Sequence, residues 1–163
     1  MEYEPGRLYV RKIIRPKYAR VNGEGIVTGE LPTLPIAKGN AGSGLLAHLI
    51  ISKYVDHLPF YRQVQMFKRE DVVIAESTIN DWFRASCKLI EPIYNQLKIT
   101  LLQNDYLMAD ETPIPVQSSD KEGSLHKGYL WGYYSPIQKI VCFDYQHGRG
   151  REGPTDFLAE FKG

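Results

Sequence analysis

Apolar residues along this chain recur with two different periods, and the change between them falls near residue 104. Upstream, the apolar residues of the run from Leu45 to Val55 recur at helical spacing. They predict a helix that opens after Ser43 and ends near His57. Pro59 suits the first position of a second helix over 60–69. Ser77 and Thr78 offer the N-cap of a long third helix over 78–102, whose apolar stripe is Ile79, Trp82, Phe83, Leu89, Ile90, Ile93, Leu97 and Leu101. Pro92 lies inside it, which predicts a kink or a break.

Downstream the pattern shortens into β-rich runs over 105–112, 128–134 and 139–145. Ser135-Pro136-Ile137-Gln138 suits a hairpin turn between the last two. A basic, glycine-rich loop over 147–153 follows, and Pro154 opens a short helical pattern through Phe157, Leu158 and Phe161. Ahead of the helices, residues 8–18 alternate loosely and favour an extended strand as far as Pro16, with a turn signal at Asn22-Gly23. Residues 23–44 are punctuated by Gly and Pro and read as a linker. The organisation expected is therefore a basic extended segment (1–22), a linker (23–44), a helical domain (45–103) and the start of an α/β domain (104–163).

Composition narrows the class. With 163 residues and 43% hydrophobic content, the chain can bury a core. The net charge of +1 hides an uneven distribution: Arg7, Arg11, Lys12, Arg15, Lys17 and Arg20 crowd the start, interleaved with Tyr3, Tyr9 and Tyr18. Such an arm suits a phosphate backbone, although a strand with a solvated charged face accounts for the charge equally well. The most apolar segment, 45–51, is interrupted by His48 and falls far short of the roughly 20 residues a bilayer requires. The start lacks the features of a signal peptide, so a cytoplasmic protein with no membrane partner is expected. Cys87 and Cys142 have no Cys-x-x-Cys spacing and read as buried free thiols. His48, on the apolar side of its helix, reads as a core histidine.

Asp110 is the first candidate for chemistry, because it closes the apolar run Tyr106-Leu107-Met108-Ala109, and a buried carboxylate needs a cation or hydrogen-bond donors. Mg²⁺ or Mn²⁺ would accept its oxygens. Neighbouring strand residues point to opposite faces, so Asp110 shares a face with Tyr106 and Met108, and Glu111 lies with Leu107 and Ala109. The residues alone leave a plain hydrated strand end as the competing reading. Between 58 and 89, a short helix, a turn-like stretch and Ser77-Thr78-Ile79-Asn80-Asp81-Trp82 opening the next helix are similar to a helix-turn-helix, with a plain helical bundle as the alternative. Gly148-Arg149-Gly150, with Arg151 beside it, offers amides and guanidinium groups to a phosphate.

The stretch from Gly44 to Gln63, which contains Ser52-Lys53-Tyr54-Val55-Asp56-His57-Leu58-Pro59-Phe60-Tyr61-Arg62-Gln63, closely resembles the central region of bacterial transposases of the insertion sequence 66 family. Three further matches follow in order: Ser77-Thr78-Ile79-Asn80-Asp81-Trp82, Ala109-Asp110-Glu111-Thr112-Pro113-Ile114-Pro115-Val116, and Gly128-Tyr129-Leu130-Trp131. The resemblance implies an α+β chain: a helical, helix-turn-helix-like domain followed by the incomplete N-terminal part of a ribonuclease H-like α/β core of the DDE type. In such a core three acids hold two divalent metal ions for strand cleavage and transfer, and the first of them, ending the first strand, falls on Asp110.

Double-stranded DNA at element ends is the implied partner, with Arg11, Lys12, Arg15, Lys17, Ser77, Thr78, Asn80, Arg149 and Arg151 as candidate contacts. Family members usually carry a cysteine-based zinc module near the start. Here Arg15-Pro16-Lys17-Tyr18 is followed by Ala19-Arg20 and no such cysteine, so no zinc is expected. The second aspartate and the glutamate are expected beyond Gly163, and Mg²⁺ or Mn²⁺ is expected for the complete enzyme. This chain alone is expected to be inactive in transposition. The alternatives are a non-catalytic DNA-binding remnant, or an assembly module in which the long helix pairs protomers as a homo-oligomer.

Overall fold

The glycine-rich N-terminal segment carries regular structure that its composition does not announce. In the computed structural model, which describes residues 1–2, 6–19, 21, 23, 25–37, 39–118 and 123–163, β1 (Lys17–Ala19) pairs antiparallel with β2 (Ile26–Thr28). Gly23 and Gly25 adopt φ of 74° and 91° in the reversal, a region that favours glycine. Gly29 N–H donates to Pro16 O at 3.2 Å and Arg15 Nε to Gly29 O at 2.7 Å, closing the base of the ribbon. The extended strand expected over 8–16 is not formed, because those residues alternate without a partner strand to satisfy their backbone. Tyr3, Arg20 and Asn22, read above as part of the basic arm and its turn, lie outside the described residues.

Three helices follow. α1 (Ser43–Tyr54) ends three residues before the expected His57, which instead turns the chain at φ 53°. α2 (Phe60–Arg69) occupies the expected span, with Pro59 at the N-cap in extended conformation and not at the first helical position. α3 (Glu76–Leu102) starts two residues earlier than expected, with Ile79 N–H donating to Ala75 O, so that Glu76 lies in the first turn where a carboxylate favours the helix dipole. Pro92 does not break it. Proline forfeits one i→i−4 bond, and the residues around it, including Leu89, Ile90, Ile93 and Leu97 of the expected apolar stripe, are exposed.

The chain divides into two compact units, Met1–Leu89 and Ile90–Gly163, inside α3. In the first unit Ala41, Leu46, Leu49, Phe60, Val64, Phe67, Ile79 and Trp82 form the core, with Leu8, Ile36, Leu45, Val72, Ile74 and Phe83 packed against it. Each large side chain fully buried there contributes about 1.5–3 kcal/mol. Gln63 is buried among them, its Nε2 donating to Leu49 O (3.2 Å) and Leu58 O (2.9 Å). This ties the end of α1 to α2. His48 is exposed, not in the core, with its ring 6.3 Å from that of Phe67.

The second unit is built on an antiparallel sheet ordered β3-β4-β5, from β3 (Met108–Gln117), β4 (Leu125–Ser135) and β5 (Ile140–Gln146). β3 runs five residues past the expected Thr112, through Pro113 and Pro115. Both prolines have the same parity on an edge strand, so their missing N–H groups fall on the side away from β4. The β4–β5 hairpin turns over 136–139, one residue later than expected: Ser135 stays in β4, paired with Ile140, and Lys139 closes the turn at φ 56°. At Gly128 a Cβ would come within 2.7 Å of the Tyr145 ring, which lies across that position. α4 (Glu152–Phe157) covers one face of the sheet, Phe157 stacking on Tyr133 at 3.9 Å between centroids, and Leu101, Leu102 and Cys142 complete the core. Among the described residues the architecture is thus mixed α and β, with four helices and two small antiparallel sheets.

Candidate functional site

Strand register sorts the acids of the second unit. Residues directly opposite across strands share a face, so Asp110 stands with Gly132 and Phe143, and Glu111 with Trp131 and Asp144. The first face bears the exposed Met108, Tyr134, Val141, Phe143 and Tyr145; the second bears the buried Tyr133 and Cys142. Asp110 is exposed and is the third residue of β3, so it neither ends its strand nor sits in a buried run as its apolar neighbours suggested. The strand begins later than the apolar run does, which moves the aspartate from its end to its start. Its Oδ1 accepts the N–H of Glu111 at 2.9 Å.

Glu111 takes a different role. Its Oε1 accepts Arg149 Nε at 2.7 Å and lies 2.6 Å from Nη2, with the Glu111 side chain 18% exposed. The basic loop is therefore fastened to β3 through Arg149, whose side chain is itself 71% exposed. Asp144, which the sequence did not single out, lies across β4 from Glu111 and accepts from Gln146 Nε2 at 2.6 Å. Burial, with smaller contributions from Asp144 and Tyr94, pushes the Tyr133 phenol up to about 12. Burial likewise raises Tyr94 and Cys142, Lys98 opposing the latter.

A divalent ion of the kind expected from the sequence finds one available carboxylate here. Asp110 and Glu111 diverge, Glu111 is neutralised by Arg149, and no group of three His, Cys, Asp or Glu among the described residues could hold a metal ion. The residues present do not by themselves fit a metal centre.

The candidate DNA contacts are spread over several elements. Arg11, Lys12 and Arg15 precede β1, Lys17 lies on it, and all four are exposed. Ser77 and Asn80 are exposed on α3, whereas Thr78 is half-buried. Arg151 is exposed just before α4, its carbonyl accepting from Thr155 Oγ1 at 2.7 Å. Charge is partitioned between the units: thirteen Lys and Arg against nine Asp and Glu in Met1–Leu89, and seven against ten in Ile90–Gly163, or +4 and −3. Cys87 is exposed on α3 and only Cys142 is buried; both are free thiols. No helix among the described residues is long and apolar enough to cross a membrane.

Against known proteins, the chain is 27% identical over its whole length to the uncharacterized protein y4qI of Sinorhizobium fredii, covering 31% of that protein. It is 30% identical to y4jD of the same organism over 71% of this chain and 23% of that protein. With y4hP it shares 28% identity over 91% of this chain and 25% of the relative. The chain thus spans between about a quarter and a third of the length of these relatives. No solved structure matches it. Residues 38–163 match the profile described as the Transposase IS66 family. The chain belongs to that family of transposases.

Proposed function

We propose that this chain is part of a DDE-type transposase that binds the ends of an insertion element, and that Asp110 is the first of the acids that hold the divalent ions for strand cleavage and transfer. The observation that carries the reading is the family match over residues 38–163. It is supported by the exposure of the Asp110 carboxylate on the open face of the sheet. The helical unit is read as a helix-turn-helix-like DNA-binding domain and the sheet as the beginning of a ribonuclease H-like core. The carboxylates that would complete the metal site with Asp110 come from outside the described residues. The +4 charge of Met1–Leu89 favours duplex DNA as that unit's partner. By itself this charge would also suit a DNA-binding module without catalysis.

Two measurements test the reading. Fluorescence anisotropy with labelled duplex should show binding that weakens steeply with salt, and weakens further when Arg11, Lys12 and Arg15 are changed to Gln. Salt-independent affinity counts against a phosphate-backbone partner. Where the remaining carboxylates are supplied by a longer chain, titration with Mn²⁺ under NMR observation should broaden the amides around Asp110 selectively, and Asp110→Asn should abolish the effect. Broadening that survives the substitution removes Asp110 from the metal-binding role.

A further inference from the structure

The first three turns of α3 present two unlike faces. Ile79, Trp82 and Ser86 are buried and Phe83 is half-buried in the core of the first unit. On the opposite side Ser77, Asn80, Asp81, Arg84 and Lys88 are all exposed and form one continuous polar stripe. Arg84 Nη1 meets Asp81 Oδ1 at 3.3 Å, with side chains 73% and 72% exposed. An ion pair so exposed adds little stability, but it holds the guanidinium against the helix through a single oxygen. Most of its five N–H donors remain free.

Asn80 stands one turn before Arg84 on the same stripe. A carboxamide and a guanidinium one helical turn apart are the two groups that pair bidentately with base edges in the major groove, Asn with adenine N6 and N7 and Arg with guanine O6 and N7. The surroundings suit the same partner. Arg62, Lys68 and Arg69 are exposed on α2, none of them in an ion pair among the described residues, and the unit as a whole carries +4. Thr78, by contrast, is half-buried and turned out of the stripe.

We propose that Arg84 is the sequence-discriminating residue of this chain on duplex DNA, with Asp81 orienting its guanidinium and Asn80 reading the neighbouring base pair. The inference rests on the DNA-binding reading above and adds to it the element that enters the groove and the residue that selects sequence.

The test uses the full chain. Duplexes are selected from a random-sequence library on the wild-type protein, and affinities for the selected duplex and a scrambled one are then measured for wild type, Arg84→Ala, Arg84→Lys and Asp81→Ala. Far-UV circular dichroism confirms that each variant is folded. Arg84→Ala should lower affinity for the selected duplex about ten-fold or more and for the scrambled duplex only slightly. Arg84→Lys should not restore the difference, because an ammonium lacks the planar fork. Asp81→Ala should reduce the discrimination by a smaller factor without weakening scrambled-duplex binding. Equal losses on both duplexes, rescued by lysine, would make Arg84 a phosphate contact and overturn the inference. Wild-type binding without any sequence preference overturns it too, while leaving the DNA-binding reading intact. No binding to any duplex refutes both.

Discussion

Asn104 joins the end of α3 to the β4–β5 turn, and its removal gives a quantitative test of how the second unit is held together. Its Nδ2 lies 2.8 Å from Leu101 O, 3.1 Å from Thr100 O and 3.2 Å from Gln138 Oε1, and its Oδ1 accepts the hydroxyl of Ser135 at 2.9 Å. Ser135 is fully buried and Asn104 nearly so, and the Ser135 Oγ accepts Gln138 N–H at 3.2 Å. In Asn104→Ala the terminal helix carbonyls lose a donor, at about 0.5–1.5 kcal/mol, and the buried Ser135 hydroxyl loses its acceptor, at about 1–3 kcal/mol. The expected loss is therefore about 1.5–4.5 kcal/mol. For a unit of this size each kcal/mol is worth roughly 4–8 °C in melting temperature, so a fall of more than about 6 °C should be seen by circular dichroism or calorimetry. A double-mutant cycle isolates the cause. In a Ser135→Ala background, Asn104→Ala should cost less, with a coupling of about 0.5–3 kcal/mol. Strict additivity of the two substitutions, or a loss below about 0.5 kcal/mol for Asn104→Ala, would show that the network does not join these elements.

Two further predictions concern groups the fold hides. With the Tyr133 phenol pushed up to about 12, the unfolded chain, whose tyrosines ionise near 10, loses its proton first. The stabilising contribution is complete below about pH 10 and is lost as pH rises towards 12, at about 1.4 kcal/mol per pH unit. Denaturant unfolding of wild type and Tyr133→Phe should diverge in that window, and parallel pH profiles would count against it. Cys87 should react promptly with a thiol reagent, whereas Cys142, 2% exposed and with its thiol pushed up by burial, should react only on unfolding. Equal reaction rates would contradict the packing around Cys142.

The elements legible in the sequence are those whose side chains face a single core. α2 is legible in its span, since Phe60, Val64 and Phe67 fall on one stripe, although Pro59 takes the N-cap and not the first helical position. The β4–β5 hairpin is legible from its alternation and its turn to within one to three residues. What escaped depended on partners distant in the chain. β1 and β2 are too short and too exposed to leave a periodic signal, and they show only when paired. The sequence pattern ends β3 before its prolines, because a sequence does not declare which strand will lie at an edge. His48 carries apolar neighbours in sequence yet points outward.

The candidate site was legible as chemistry and not as geometry. Asp110 and Glu111 stood out together, but the pairing of Glu111 with Arg149 across 38 residues, and the position of Asp144 opposite Glu111, exist only once the strands are in register. Arg84 is not legible in the sequence, because an exposed arginine on an amphipathic helix has no distinguishing pattern until the buried side of that helix is known.

The prolines of β3 have one more effect. The outward-facing positions of this edge are Ala109, Glu111, Pro113, Pro115 and Gln117, so the free margin of the sheet is chemically uneven: its beginning offers amide hydrogens and its middle offers none. Another strand approaching from that side can zip along the beginning only. As it does so it takes the Glu111 amide hydrogen away from Asp110 Oδ1, where that hydrogen now rests at 2.9 Å. Widening the sheet and releasing that one oxygen are then one event, and the margin sets both where a fourth strand stops and how many lone pairs Asp110 has to offer.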